Sequence, residues 1–177
     1  PVLHFYVANG IGADEFLNRK FDEKLEPAIG VFLTLPVHER LSIDPELIAS
    51  VKGTYLNFDS LQENIRLTYL DVPVLLRYTP PPESPLSWLR LIGGVYGAYL
   101  LDASAHSREA TRRTNLRDVI QTFDMGWVAG LGAHAGGFEV DVRYSGSTVN
   151  IARRPDLNLG LSPNEGVTYR NRAFVFL

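Results

Sequence analysis

Charged and apolar residues alternate along the segment 138–144. Glu139, Asp141 and Arg143 occupy every second position, and apolar or aromatic residues fill the positions between them. Successive side chains of a β-strand point to opposite faces, so this segment predicts a strand with one polar face and one apolar face. The protein must therefore offer that strand a polar compartment on one side and an apolar compartment on the other.

A second segment, residues 42–55, repeats the same period of two. Asp44, Glu46 and Lys52 share one face, while Ile43 and Leu47 lie on the other. Alternation alone leaves two barrel types open. A membrane barrel turns its apolar face outward to lipid, whereas a soluble barrel of the lipocalin type turns it inward around an apolar ligand.

Periodicity and turn residues together predict eight strands. They are residues 3–12, 27–35, 41–55, 64–78, 88–101, 123–135, 137–147 and 167–177. Long and short connections alternate, which is typical of outer-membrane barrels with short periplasmic turns and long extracellular loops. We therefore predict an all-β fold: an eight-stranded antiparallel up-and-down transmembrane β-barrel, forming a single domain over residues 1–177. The long loops would be extracellular and both termini periplasmic.

Aromatic residues near the strand ends fit this interpretation, because the two interfaces of a bilayer favour amphipathic rings. The predicted belts are Tyr55, Tyr99, Phe123 and Tyr169 toward the long loops, and Tyr78, Trp88 and Phe176 toward the short turns. Ordinary aromatic packing in a core is the alternative.

Two prolines lie inside predicted strands, Pro45 in the third and Pro73 in the fourth. Each removes a donor from the ladder of a closed sheet. Antiparallel pairing would bring them close together, and we expect one β-bulge to accommodate both. The same bulge would shift the apolar phase of the fourth strand between Tyr69 and Val72.

The composition limits the classes of function. The chain has 177 residues, 45% of them hydrophobic, and a formal net charge of -3, which predicts a folded domain and argues against a nucleic-acid partner. It has no cysteine, so disulfides, thiolate nucleophiles and cysteine metal sites are excluded. The longest apolar stretch, residues 91–101, is too short for a spanning helix of roughly 20 residues but matches a membrane strand of roughly 9 to 11.

The segment 69–78, Tyr-Leu-Asp-Val-Pro-Val-Leu-Leu-Arg-Tyr, resembles the fourth strand of the PorT-like outer-membrane β-barrel family, common in Bacteroidetes and related Gram-negative bacteria. Segments 41–52, 94–101, 125–132 and 138–151 also resemble this family, as does the strand that contains Asn171 and Arg172. The resemblance implies an eight-stranded outer-membrane barrel. It implies no single activity, because the family is defined by its architecture.

If the apolar faces contact lipid, the charged faces line the lumen. The predicted lumen charge network is Asp44, Glu46, Lys52, Arg77, Glu139, Asp141 and Arg143. A lumen of eight strands is just wide enough for side chains to fill, so acids and bases would satisfy one another in a plug. Transport of protons or of a small solute through this network is the alternative.

No residue constellation supports catalysis, and we predict that the protein is not an enzyme and uses no cofactor or metal. Asp124 and His134 lie on one face of the sixth strand, but ten residues separate them by about 33 Å at roughly 3.3 Å each. We interpret His134 as a hydrogen-bonded lumen group. Ser145 and Ser147 have no histidine within reach.

Arginines concentrate in two of the predicted long loops: Arg108, Arg112, Arg113, Arg117, Arg153 and Arg154. Guanidinium groups pair with phosphates and carboxylates, so these loops are candidates for contact with surface glycolipid or a partner protein. Solvated or locally paired loops are the alternative. We therefore predict a structural or accessory component of the outer membrane, or of a larger membrane complex, with outer-membrane lipid as a partner. The alternative function is a soluble lipocalin-like barrel binding an apolar ligand.

Overall fold

The structure, a computed structural model, describes the backbone of residues 2–13, 21–23, 25–58, 61–107, 113–115, 120–135, 138–149 and 169–176, and the side chains of 27–52, 66–104, 120–134, 140–149, 170–173 and 175. The strands are β1 (Val2–Ala13), β2 (Phe21–Glu23), β3 (Leu25–Phe32), β4 (Leu35–His38), β5 (Leu41–Phe58), β6 (Leu61–Tyr78), β7 (Leu89–Ser107), β8 (Arg113–Asn115), β9 (Phe123–Ala135), β10 (Phe138–Ser147) and β11 (Tyr169–Phe176). All of their pairings are antiparallel.

Eight of these strands form a ring. Their order is β1, β3, β5, β6, β7, β9, β10 and β11, and β11 pairs with β1 again. The short strands β2 and β4 pair with β5, and β8 pairs with β7. The predicted all-β fold with eight antiparallel strands is therefore confirmed. A closed ladder leaves no open sheet edge, which is the condition for strands to cross a bilayer.

The outer wall of the ring is apolar. Its exposed large apolar residues include Ile29, Val31, Leu47, Val72, Val74, Leu76, Leu91, Val95, Leu131, Val140 and Val142. The residues that alternate with them point inward, and many of those are charged, such as Asp44 and Arg143 at 0% and 5% exposure. The soluble lipocalin-like alternative is therefore wrong, since it requires a charged outer face and an apolar interior. No helix within the described ranges is both long and apolar enough to cross a membrane.

The two prolines lie close together, but the expected bulge between them is wrong. Pro45 pairs with Val74, and Ile48 pairs with Asp71 at the same offset, so neither strand gains a residue in this interval. The ladder is only interrupted over two positions, where Pro73 has no N–H to donate. An interrupted ladder is therefore sufficient to accommodate both rings.

The register shift lies instead between β6 and β7. Thr68 pairs with Asp102 while Tyr69 pairs with Leu100, so Leu101 is the extra residue on β7. From Arg66 to Tyr78 the side chains of β6 keep one phase, and Tyr69 is as fully inside as Asp71. The bulge predicted to explain the change of apolar phase along β6 is therefore wrong. The apolar residues pass from the lumen face, at Leu67 and Tyr69, to the outer face from Val72 onward, while the strand keeps its phase.

The interior has an apolar core beside its charges. Its buried members are Leu67, Tyr69, Leu75, Ile92, Tyr96, Ala98, Leu100, Ala103 and Val128. Gly126 makes room for one of the large rings, since a Cβ there would lie 2.7 Å from Cε1 of Tyr96 and 2.1 Å from the carbonyl oxygen of Gly146. A glycine at this position thus lets Tyr96 fill the barrel interior.

Candidate functional site

One group of buried charges, which we call the arginine cluster, consists of Asp44, Glu46, Arg77, Asp141 and Arg143. The Arg143 guanidinium donates from Nη1 to both carboxylate oxygens of Glu46, at 2.8 and 2.9 Å, and from Nη2 to Oδ2 of Asp141 at 2.8 Å. Arg77 forms ion pairs with Asp44, at 2.8 Å from Nε to Oδ2, and with Oδ2 of Asp141 at 3.4 Å. Asp141 therefore links the two arginines into one continuous network.

The arginine cluster spans the width of the lumen. Glu46 lies on β5 and Arg143 on β10, and three strands separate β5 from β10 in either direction around the ring. The two side chains thus come from opposite walls and meet inside. Both are nearly fully buried, with 1% and 6% of the side chain exposed. Moving either charge into an open channel would break an ion pair that is shielded from water.

A second group of polar residues, the tyrosine cluster, begins at Lys52. Its Nζ donates to Oδ1 of Asp71 at 2.9 Å and lies 4.7 Å and 5.3 Å from the ring centroids of Tyr69 and Tyr96. The Ser50 hydroxyl donates to the other oxygen of Asp71. One buried ammonium group is therefore held by a carboxylate and by the faces of two aromatic rings, which favour a cation at these distances.

Asp124 is the other acid of the tyrosine cluster, and it is held by neutral donors. Its Oδ2 accepts from Nδ2 of Asn171 at 2.8 Å and from the Tyr96 hydroxyl at 3.3 Å, while Ser147 donates to Oδ1. The Asn171 amide also lies 3.3 Å from the Tyr69 hydroxyl. Since β11 and β6 are opposite strands of the ring, this contact too crosses the lumen.

A cavity of about 60 Å³ lies between the two clusters. Glu46 and Arg143 line it on the side of the arginine cluster, and Lys52 and Asp71 line it on the side of the tyrosine cluster. Its remaining wall is mainly apolar: Ala28, Ile48, Pro73, Leu75, Val128, Ala173 and Val175. The volume is enough for about four water molecules. It is too small for a drug-sized ligand, which needs roughly 300 Å³ or more.

The outer membrane protein beta-barrel domain family matches residues 9–151. The chain belongs to this family. Its closed ring, apolar outer wall and polar interior are those of an outer-membrane β-barrel, and the outer membrane is its location.

Among solved structures, the chain is similar to Ail, the attachment invasion locus protein of Yersinia pestis, crystallised with the heparin analogue sucrose octasulfate. The TM-score is 0.48 and the identity 10%, covering 98% of this chain and 92% of Ail. No curated protein matches the chain.

The structure places six residues of the sequence-derived charge network inside this outer-membrane barrel but divides them between two clusters. Five of them form the arginine cluster, and Lys52 lies apart from them with Asp71. The Glu139 side chain lies outside the described residues. Sequence reasoning missed Asp71, although it shares the strand phase of Arg77, because an apolar run surrounds it. It also missed the acceptor role of Asp124 and the donor Asn171.

The aromatic residues of the proposed belts are partly described. Tyr99 and Phe123 pair across β7 and β9 and are both about half exposed on the outer wall. Trp88, also half exposed, precedes β7 at the opposite end, and Tyr78 is partly buried there. The side chains of Tyr55, Tyr169 and Phe176 lie outside the described residues. The structure adds Trp127 and Tyr144 to the outer wall, with ring centroids 5.4 Å apart.

His134 is exposed near the end of β9, so its assignment as a lumen group is wrong. The strand phase points it inward, but its side chain is exposed at this end of β9. Both serines are engaged inside the barrel: Ser145 donates to the carbonyl oxygen of Ala173 at 3.4 Å, and Ser147 to Asp124. Within the described residues, no group of three or more His, Cys, Asp or Glu could hold a metal ion.

The arginines of the predicted loops are mostly beyond the described ranges. Arg108, Arg112, Arg117, Arg153 and Arg154 lie outside them, and for Arg113 only the backbone, in β8, is described. Their contact with glycolipid or a partner stays a prediction.

Proposed function

We propose that this outer-membrane barrel has a lumen plugged by its own side chains and acts as a structural or accessory component rather than as an enzyme or a pore. The observation that carries the proposal is the ion pair of Glu46 and Arg143, which joins opposite walls inside the ring. The contact of Tyr69 with Asn171 does the same in the second cluster. A solute crossing the barrel would have to displace both connections.

Energetics favour a closed interior. Separating a buried, hydrogen-bonded ion pair leaves uncompensated charge, at a cost of about 3–5 kcal/mol. The arginine cluster contains several such contacts, and the cavity beside it holds only about 60 Å³. A barrel of eight strands has little space left once its side chains are accommodated. The interior is thus suited to stabilising the barrel wall. Contacts with partners are then made by the outer surface and the loops.

We also propose a family branch and a membrane orientation for the protein. We place it in a PorT-like branch of the outer-membrane barrels, of the type found in Bacteroidetes, with the whole chain as one barrel domain. Long loops would be extracellular and the termini periplasmic, which follows the asymmetry of bacterial barrels. The loop arginines then face the cell surface, where they would contact glycolipid or a larger membrane complex.

Fractionation of native membranes followed by purification in mild detergent tests the accessory role. Co-purification with a larger complex supports it, and recovery of the barrel alone supports a stand-alone structural component. Recovery from the water-soluble fraction contradicts both. A variant with Arg112 and Arg113 replaced by glutamine tests contact through the loop. Arg40→Gln is the matched control, because Arg40 is exposed in a turn at the other end of the barrel.

A further inference from the structure

The outer wall carries two exposed arginines close to the end of the barrel where the long loops begin. Arg170 and Arg172 are the second and fourth residues of β11, and both point outward, away from Asn171, which is buried between them in sequence. Side chains two apart on a strand lie on one face, roughly 7 Å apart. Two guanidinium groups therefore stand side by side on a wall that is otherwise largely apolar.

Glycines lie opposite both arginines. Arg172 pairs with Gly146 on β10, and Arg170 pairs with Gly12 on β1. Because glycine has no side chain, the position over Gly146 is open to a ring from the next strand, and the indole of Trp127 occupies it.

Two aromatic side chains lie beside these arginines on the outer wall. The indole of Trp127 lies over Gly146, where an added Cβ would be 3.0–3.2 Å from Cε2, Cζ2 and Nε1. Trp127 and Gly146 are paired, and Arg172 pairs with Gly146 from the other side, so the indole extends over β10 toward the arginine. Tyr144 packs against Trp127 at 5.4 Å, two residues farther from the long loops than Gly146.

From these positions we propose that Arg170, Arg172, Trp127 and Tyr144 form a binding site for a phosphorylated membrane lipid. Its phosphate would contact the two guanidinium groups, which match phosphate oxygens in charge and geometry. The headgroup and upper acyl chains would lie along the indole and phenol, which favour the boundary between headgroups and hydrocarbon. Along β10 and β11, Arg170 lies nearest the long loops and Tyr144 farthest from them, while Arg172 and Trp127 share the row between. The site thus offers a cation toward the headgroup and a ring toward the acyl chains.

The site lies on the outer wall, so the inference depends on the outer-membrane location and not on the plugged lumen. Binding can fail while the lumen stays closed, and the lumen can conduct while lipid still binds. The two proposals are therefore separable by experiment.

Fluorescence of Trp127 tests the site, because the chain has only two tryptophans. In a Trp88→Phe background, folded protein in a maltoside detergent is titrated with bisphosphorylated lipid A, with the same lipid lacking phosphates, and with inorganic phosphate. We expect a saturable change with lipid A and a half-saturation at least about tenfold higher after replacement of Arg170 and Arg172 by glutamine. Arg66→Gln is the matched control, since Arg66 is exposed on β6, on the opposite side of the ring.

Heat-modifiable mobility of each variant, read on the same samples, shows which variants are folded, and the single variants Arg170→Gln and Arg172→Gln replace the double one if it does not fold. Equal titrations with phosphorylated and dephosphorylated lipid would overturn the proposal, as would an unchanged curve in the arginine variants. Saturation by inorganic phosphate at the same concentration would also overturn it, because the site would then bind free anions.

Discussion

Arg143 on β10 donates from a single nitrogen, Nη1, to both carboxylate oxygens of Glu46 on β5, although 97 residues separate them in the chain. The two strands are opposite in the ring, so the ion pair bridges the lumen rather than two neighbouring strands. Asp141 accepts from the second terminal nitrogen of the same guanidinium group, at 2.8 Å. The contact thus joins opposite walls of the ring inside the lumen.

Replacing Arg143 by alanine is expected to lower the free energy of unfolding by about 3–5 kcal/mol, because the Glu46 carboxylate stays buried without its cation. Urea titration of the folded protein in detergent measures the change. The double variant Glu46→Leu with Arg143→Met is expected to lose less than the single variant, since neither charge remains buried. A single-variant loss below about 1 kcal/mol would show that the pair does not stabilise the barrel.

Asp124→Ala is expected to destabilise the barrel by about 3 kcal/mol or more. Asn171, Tyr96 and Ser147 all donate to this carboxylate, and burial prevents water from replacing it. Glu83→Ala is the control, because Glu83 is exposed in the turn between β6 and β7 and should change stability by less than about 0.5 kcal/mol. Similar unfolding curves for the two variants would contradict the network assigned to Asp124.

Much of the fold could be predicted from alternation alone. In β10, the period of two identified both the strand and its inward face, because one face of the strand meets lipid and the other meets packed side chains. The ends of the strands were harder to predict. β5 ends at Phe58, beyond the predicted residue 55, and β6 begins at Leu61, before the predicted residue 64. Their sequences there lose alternation, but backbone pairing extends the hairpin without it.

The contacts of the lumen could not be predicted in the same way. Strand phase indicates that Lys52 and Glu46 point inward, yet it cannot say that Lys52 meets Asp71 while Glu46 meets Arg143. Those partners depend on register and on the order of strands around the ring. Tyr69 shows a second limit. A large apolar residue in a membrane barrel can face either the lipid or the lumen, and only the strand phase that Tyr69 shares with Asp71 identifies it as internal.

Val140→Arg is expected to destabilise the membrane-folded barrel by about 2–4 kcal/mol if this position lies near the bilayer midplane. Val140 is 54% exposed on the outer wall, whereas the adjacent Asp141 is 3% exposed and faces the lumen. Spin labels at the two positions check the assignment. Oxygen-accessible lipid contact at Val140, and its absence at Asp141, is the expected result; water contact at Val140 would contradict an apolar outer wall.

The detergent-folded protein is expected to migrate differently on a gel before and after boiling. In the closed ring each of the eight strands pairs on both sides, so the barrel should resist unfolding until heated. Circular dichroism on the unboiled sample confirms that it is rich in β-structure. Identical mobility of a β-rich sample before and after boiling would count against the closed ladder.

Conductance in planar bilayers tests the plugged lumen most directly. The purified, unmodified protein should show current near baseline and no steady open state at neutral pH, because in the proposed plugged lumen the contacts of the arginine and tyrosine clusters between opposite walls close the path. Arg77→Ala and Arg143→Ala should lower stability far more than they raise conductance. Stable, ion-selective openings of the unmodified protein would contradict the account and assign the barrel a pore function.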